Sequence, residues 1–401
     1  MYESFFRTLV KPAQTKIVLL ILDGLGGLPL DPLGDTELET AHTPNMDALA
    51  ARSALGFSLP IGPGISVGSG PGHLAIFGYD PLEYQIGRGA LEALGVDFDL
   101  HKQDLAARGN FCTLDGQGLL TDRRAGRLPT EQSQKLVQEL SAIKVAGVEL
   151  FLKPIKEHRF AFIMRAEGLS AQLTDTDPLK LAEAPLPVRP KTAAAERSAH
   201  LVNQFIAQAQ AMLKDLYPAN AIMLRGFAQL PEIPSYTDMF KLKAAAVAVN
   251  GMYRGVSRLA GMEVLDLPGS SLADEFSALE AKWQDYDFFY LHYKQTDTCG
   301  ESGDFDGKVR AIEAFDAQLP RLLALKPDVV IITGDHSSPA LMQSHSWHPV
   351  PLLLYSKLVR ADRLAKFGER SCAMGSLGIM PAKYVMPLAL ANAGRVAKYG
   401  A

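Results

Sequence analysis

The sequence predicts an α/β fold: a mostly parallel sheet flanked by helices, interrupted by a smaller inserted α+β domain. Three observations predict it. Short, wholly apolar runs such as Ile17–Leu22 and Val329–Thr333 read as strands buried on both faces. These runs stop at carboxylates, Asp23 and Asp335, which is where ligands gather in an open parallel sheet. From about residue 96 to 240 the texture changes, and it reverts afterwards. The expected division is therefore 1–95 with 241–401 as one discontinuous domain, and 96–240 as the insert.

Taken in order, Ile17–Leu22 is a strand ending in the flexible turn Asp23-Gly24-Leu25-Gly26-Gly27. Next comes the segment 62–81, GPGISVGSGPGHLAIFGYDP, which sets Ser69 between Gly68 and Gly70 with an apolar helical run starting at His73. Glycines admit close backbone approach, and a helix start offers free N–H groups to an anion. In the insert, Thr130 is the expected cap of a helix through Leu136, Val137 and Leu140. Arg159–Arg165 alternates like a strand, and the proline-rich 183–190 excludes regular structure. A helical stripe over 201–216 and a short strand at 221–224 complete the insert. Beyond it, 244–249, 287–293, Val329–Thr333 and 350–355 read as strands. Val309, Ile312, Phe315, Leu319 and Leu322 keep a helical period that Pro320 disturbs near its end.

Composition excludes several classes. The 401 residues carry 40 Lys+Arg against 44 Asp+Glu, a net charge of −4, so there is no basic footprint for nucleic acid or an anionic membrane. No apolar run has the length of a membrane span. Cys112, Cys299 and Cys372 are odd in number and widely spaced, which argues for reduced thiols rather than disulfides or structural zinc. The N-terminal residues lack a secretory pattern, and a cytoplasmic location is expected. A homo-oligomer is compatible with the sequence.

Asp23, Asp297, Asp335, His336 and His345 form a donor set of oxygen and nitrogen without sulfur, suited to Mn²⁺, Mg²⁺ or Zn²⁺. Two such ions would clamp the attacking and leaving oxygens of a displacement, and a cation beside Ser69 would lower the pKa of its hydroxyl. Singly, each residue has a plainer reading: a turn or cap for Asp23, a loop for His345 and His348. Their conjunction at strand ends favours chemistry.

The runs DGLGG at Asp23, GSGPGHLAIFGYDP around Ser69, GRGALEALG at Gly87, DRRAGRLP at Asp122, TGDHSSP at Thr333 and HSWHPVP at His345 resemble the cofactor-independent phosphoglycerate mutases of the archaeal type, in the alkaline phosphatase superfamily. The resemblance covers essentially the whole chain. It implies an alkaline-phosphatase-like core with an inserted substrate-handling domain, and an isomerase of glycolysis and gluconeogenesis. It implies two divalent metal ions, Mn²⁺ foremost with Mg²⁺, Co²⁺ or Zn²⁺ as alternatives, and no 2,3-bisphosphoglycerate. Asp23, Ser69, Asp335 and His336 resemble the ligands of one ion, with Ser69 also the nucleophile that becomes phosphoserine. Asp297 and His345 resemble ligands of the other.

The chain departs from the family in two places. Glu301 stands where a histidine ligand is expected, with Asp304 and His292 as candidate substitutes, and Gly70 follows the serine where many relatives carry Asp. A small phosphorylated hydroxy acid as substrate calls for guanidinium groups. Arg88, Arg123, Arg124 and Arg127 are the candidates, with Arg225 and Lys243 behind them. His73, one helical turn after Ser69, is a proton carrier or a packing residue. Glycines at 87–95 and 251–255 are candidate hinges. Competing readings are a metal-dependent phosphohydrolase or another phosphomutase of the same superfamily, with a kinase-like role on amino-acid hydroxyls a minor variant. The other rival is a non-catalytic metabolite-binding relative.

Overall fold

The structure, a computed structural model, describes residues 2–400. They divide into two compact units: the chain up to Gln85 together with Ile233 onward, and Ile86–Glu232. The joints thus fall at 85/86 and 232/233 rather than 95/96 and 240/241. The helix Arg88–Gly95 belongs to the insert because it packs on three of its strands. A methyl group on Gly89 would meet the Ala106 carbonyl oxygen at 2.4 Å, so only glycine permits that approach.

β1 (Ile17–Leu22) and β2 (Ala54–Leu59) precede the insert. Within it run β3 (Asp104–Leu114), β4 (Leu120–Asp122), β5 (Glu149–Pro154), β6 (Arg159–Arg165) and β7 (Ala221–Ala228). After it come β8 (Ala244–Val247), β9 (Glu263–Val264), β10 (Phe288–Tyr293), β11 (Val329–Thr333), β12 (Val350–Ser356) and β13 (Gly378–Pro381).

The larger unit holds an eight-stranded sheet in the order β13-β2-β12-β11-β1-β10-β8-β9. β1 pairs in parallel with both β10 and β11, whereas β12 runs against both its neighbours. All six residues of β1 are buried, as a wholly apolar central strand requires. Its Val18, Leu20 and Leu22 join Phe289, Leu291, Val330 and Ile332 in a core closed by Phe276, Ile312 and Phe315 from the covering helices. Registers of Leu22 with Tyr293 and Ile21 with Thr333 bring the carboxyl ends of β1, β10 and β11 level. The helical period through Leu322 resolves into two helices, Phe305–Asp316 and Leu319–Ala324. Pro320 sits in the first turn of the second, where its missing N–H costs nothing.

The insert is α+β, with β4-β3-β6-β5 in one antiparallel sheet and β7 also paired to β3. Helices Thr130–Leu140 and Glu196–Leu213 supply its core, in which Phe162 and Phe205 lie 4.8 Å apart between ring centres. Pro129, not Thr130, occupies the cap position; the Thr130 hydroxyl accepts instead from the Glu157 N–H at 3.2 Å. The glycine segments read as hinges lie in helices, Arg88–Gly95 and Gly251–Leu259. Among the described residues no helix is long and apolar enough to cross a membrane.

Candidate active site

The helix carrying the serine begins at Ser69 itself, with Gly68 as its cap, rather than at His73. Pro71 falls in the first turn, where helix N–H groups have no internal partner anyway, so the Gly-Pro-Gly run does not delay the start. Gly72 is there for contact: a Cβ would come within 2.5 Å of the Asp335 carbonyl oxygen. The serine helix is thereby seated on the loop after β11.

Ser69 Oγ lies 3.1 Å from His336 Nε2. The same nitrogen is 3.3 Å from Asp23 Oδ1 and 3.3 Å from Asp335 Oδ2. Both of those carboxylate oxygens are buried and accept no hydrogen bond from the described residues. The Ser338 hydroxyl donates its one proton to Asp297 Oδ1 at 2.5 Å, so towards His336 Nδ1, 3.1 Å away, its oxygen acts as acceptor. That fixes the proton on Nδ1 and turns the Nε2 lone pair to the two carboxylates and the serine. Electron-rich atoms gathered this way repel one another unless a cation sits among them. Separations near 3.3 Å suit donors about 2.1 Å from one shared ion.

A second group repeats the pattern. His345 Nδ1 donates to the Val67 carbonyl at 2.8 Å, leaving Nε2 facing Asp297 Oδ1 at 3.5 Å and Glu301 Oε1 at 3.4 Å. Asp297 and Glu301 share one face of the helix Gln295–Ser302, four residues apart. Asp297, His336 and His345 are grouped closely enough to hold one ion, and Asp23, Asp335 and His336 another. The two candidate substitutes for Glu301 are engaged elsewhere. Asp304 caps the helix Phe305–Asp316, accepting from the Gly307 N–H at 2.8 Å, and His292 bonds Asp23 Oδ2 at 2.8 Å.

Lys294, which carries no signal in the sequence, joins the two groups. Its ammonium reaches Asp23 Oδ2 at 3.2 Å and Asp297 Oδ2 at 2.5 Å, and the Tyr253 hydroxyl at 2.9 Å. Burial works against its charge, but Asp23 and Asp297 outweigh that and hold it above the ordinary lysine range. Burial and Asp335 push the Asp23 carboxyl up, yet His292 and Lys294 bring it below the usual carboxylate range. The Asp335 carboxyl is likewise held below the usual carboxylate range, against burial, by its basic neighbours. His73 does not reach the Ser69 hydroxyl. It points its Nδ1 at the Ser69 carbonyl, 2.8 Å away, and lies against Asp335 Oδ2 at 3.2 Å, an electrostatic contact.

Lys243 is a correction. It directly precedes β8 at the amino end of the sheet, accepts the Asp287 N–H on its carbonyl, and lays its ammonium over the Tyr286 ring. Asp23 follows the carboxyl end of β1, so the two occupy opposite rims.

Within the insert, Arg88, Arg159 and Arg225 act electrostatically on Arg108, whose guanidinium lies 3.7 Å from Glu92. Burial first, then its like-charged neighbours, bring Arg108 down to about 10. Burial, Arg159 and Arg108 likewise push His158 down to about 4, with Arg124 adding to the effect. Arg108 and Arg159 lie outside the recognised motifs, so the sequence does not single them out. Arg123 is committed to Asp177 through two hydrogen bonds of 3.0 and 2.6 Å, and Arg225 lies 3.1 Å from the same carboxylate. Arg127 ends the short helix Ala125–Arg127.

Residues 50–219 match the family model described as 2,3-bisphosphoglycerate-independent phosphoglycerate mutase. Among curated proteins, the chain is 49% identical to one from Thermus thermophilus over 98% of both chains. It is 48% identical to one from Aquifex aeolicus, again over 98% of both. Both relatives are named as probable 2,3-bisphosphoglycerate-independent phosphoglycerate mutases. Among solved structures, a protein from Pyrococcus horikoshii superposes with a TM-score of 0.83 at 33% identity, covering 98% of this chain and 100% of that one. The cofactor-independent phosphoglycerate mutase from Thermoplasma acidophilum gives 0.74 at 30% identity, covering 95% and 100%. The chain is thus an α/β protein of the phosphoglycerate mutase type. It belongs to the 2,3-bisphosphoglycerate-independent phosphoglycerate mutase family.

Proposed function

We propose that the protein interconverts 3-phosphoglycerate and 2-phosphoglycerate through a phosphoseryl intermediate on Ser69, without 2,3-bisphosphoglycerate. The observation that carries this reading is the Ser69 hydroxyl at 3.1 Å from His336 Nε2, beside two buried carboxylate oxygens that accept no hydrogen bond from the described residues. Asp23, Asp335, His336 and Ser69 would hold one divalent ion, and Asp297, His345 and Glu301 a second. Mn²⁺ is the proposed identity, with Mg²⁺, Co²⁺ and Zn²⁺ as the alternatives. When bound, these ions supply positive charge to the phosphoryl oxygens and acidify the serine hydroxyl.

Ser69 Oγ gives up its proton and bonds to phosphorus as the bond to the C3 oxygen of the substrate breaks, and that oxygen takes up a proton. In the return step the C2 hydroxyl loses a proton and bonds to phosphorus, the bond to Ser69 Oγ breaks and the serine oxygen takes up a proton, so protons balance in each step. The helix start at Ser69 offers backbone N–H groups to the phosphoryl oxygens. Lys294 keeps a positive charge between Asp23 and Asp297. His73 braces the Ser69 backbone against Asp335. In the insert, Arg88, Arg124 and Arg127, together with Arg108 and Arg159, are the groups proposed to take the carboxylate and phosphate. Arg123 and Arg225 are held by Asp177 and stiffen that set.

The test is a coupled assay of 2-phosphoglycerate formation without added 2,3-bisphosphoglycerate, after chelation and with each metal restored. Turnover that returns with metal and is lost in Ser69→Ala supports the mutase. Release of free phosphate in its place would make the protein a hydrolase.

A further inference from the structure

Lys308 takes no part in the chemistry described above. It projects from the helix Phe305–Asp316 into the larger unit, and its side chain is fully buried. A buried ammonium is costly unless it is paired and hydrogen-bonded. Here it donates to two backbone carbonyls, Gly26 at 3.0 Å and Ser338 at 2.9 Å, with Glu37 Oε1 at 3.7 Å. Those carbonyls belong to the two loops that follow β1 and β11.

Glu37 makes the complementary contacts. It accepts from the Leu28 N–H at 3.0 Å on one oxygen and from the Ala340 N–H at 2.8 Å on the other. Glu369 adds a hold on the first loop, accepting from the Gly27 N–H at 3.0 Å. The loops also touch directly, since the Ser338 N–H donates to the Gly26 carbonyl at 3.1 Å. Both contact points are close: a Cβ on Gly26 would meet Ser337 Oγ at 1.9 Å, and one on Gly27 would meet Glu37 Oε2 at 1.9 Å, so a larger residue there would displace those side chains.

The first loop opens with Asp23, and the second with Asp335 and His336. Ser338, whose carbonyl Lys308 holds, is also the residue that bonds Asp297 and orients His336. We propose that Lys308 is a positioning residue for the metal centre: with Glu37 it pins the two ligand-bearing loops together and so sets the spacing of Asp23, Asp335 and His336. This rests on reading that cluster as a metal site. The competing explanation is that Lys308 only neutralises Glu37 inside the core.

The double variant Lys308→Met/Glu37→Gln separates the two, because it removes both charges and keeps the volume filled. Wild type and variant are titrated with Mn²⁺ alone, read by paramagnetic resonance of the free ion, with circular dichroism as the check on folding. Wild type is expected to bind. The folded double variant is expected to bind about 10–100-fold more weakly, the usual loss when an outer partner of a metal site is removed. In the mutase assay at saturating Mn²⁺, kcat should fall with KM for 3-phosphoglycerate little changed. Wild-type Mn²⁺ affinity in the double variant would overturn the positioning role and leave the metal reading intact. Failure of the wild-type protein to bind Mn²⁺ would overturn both. If the double variant does not fold, Lys308→Gln, which keeps a shorter donor, takes its place in the same titration. Weakened Mn²⁺ binding there supports the positioning role, and wild-type affinity overturns it.

Discussion

Glu301 Oε1 stands 3.4 Å from His345 Nε2, the ring nitrogen not engaged by the Val67 carbonyl. A carboxylate has therefore taken the place next to Asp297 where the family resemblance calls for an imidazole. It is more than half exposed, at 54%, while Asp297 is 1% exposed, so the group that differs is on the solvent side of the second cluster.

A carboxylate there favours harder ions. Glu301→His is expected to shift the activity ranking from Mn²⁺ and Mg²⁺ towards Co²⁺ and Zn²⁺. Glu301→Ala is expected to weaken the second ion by about tenfold or more, at least the loss seen for outer partners of metal sites. Metal content after dialysis and Mn²⁺ titration check both. An unchanged second affinity in Glu301→Ala would remove Glu301 from the site.

Gly72 fits against the backbone of Asp335 with no room for a methyl group. Gly72→Ala is expected to push the serine helix off the loop after β11, lowering turnover by about tenfold or more, since small misplacements at a reacting centre are costly. Gly116→Ala is the control, because a Cβ there meets nothing within 4 Å. Equal activity in the two variants would mean that the helix seat does not matter.

Glu275 is buried, and burial pushes its carboxyl up to about 8 from the ordinary 4.5. The folded state thus binds this proton more tightly than the unfolded chain. The resulting stability is fully present below about pH 4.5 and is lost as pH rises through about 8. Glu275→Gln lacks the titration, so its melting temperature should match wild type near pH 5 and exceed it at about pH 9, by roughly 2 °C or more. A constant difference across that range would contradict the assignment.

Arg88 crowds Arg108, and Glu92, 3.7 Å from Arg108, offsets only part of that charge. Arg88→Gln should raise KM for 3-phosphoglycerate by about tenfold, the worth of one charge-assisted hydrogen bond. It should leave Mn²⁺ affinity untouched. Steady-state kinetics beside metal titration make the check; a change in metal affinity with KM unmoved would contradict it.

How much of this is legible in the sequence depends on the range of the contacts. Asp23 and Asp335 announce themselves, because an apolar strand stopping at a carboxylate is a local pattern. The Asp297–Glu301 spacing is also local, one turn of one helix. The orienting role of Ser338 is not, since its partner Asp297 lies 41 positions away, and Lys308 reaches Gly26 across 282. Gly-Pro-Gly hides the helix start at Ser69, because that run reads as loop unless the packing of Gly72 on Asp335 is known. Lys243 is a different case: it precedes its strand, and in a parallel sheet that order already puts it at the amino rim, away from the carboxyl ends where ligands gather. β2, with glycine and serine among its six residues, carries too weak an alternation to be read before its partners β12 and β13 are known.

The phosphoseryl mechanism stands or falls on a phosphoryl group carried by the protein, and mass spectrometry can look for it. The Mn²⁺-loaded enzyme is mixed with 3-phosphoglycerate, quenched in acid within a turnover, digested, and its peptides are weighed. The mechanism requires one added phosphate on the peptide containing Ser69, absent without metal and absent in Ser69→Ala. A Ser69→Ala enzyme that still makes 2-phosphoglycerate at the wild-type rate, or a phosphate found on another residue, would contradict it.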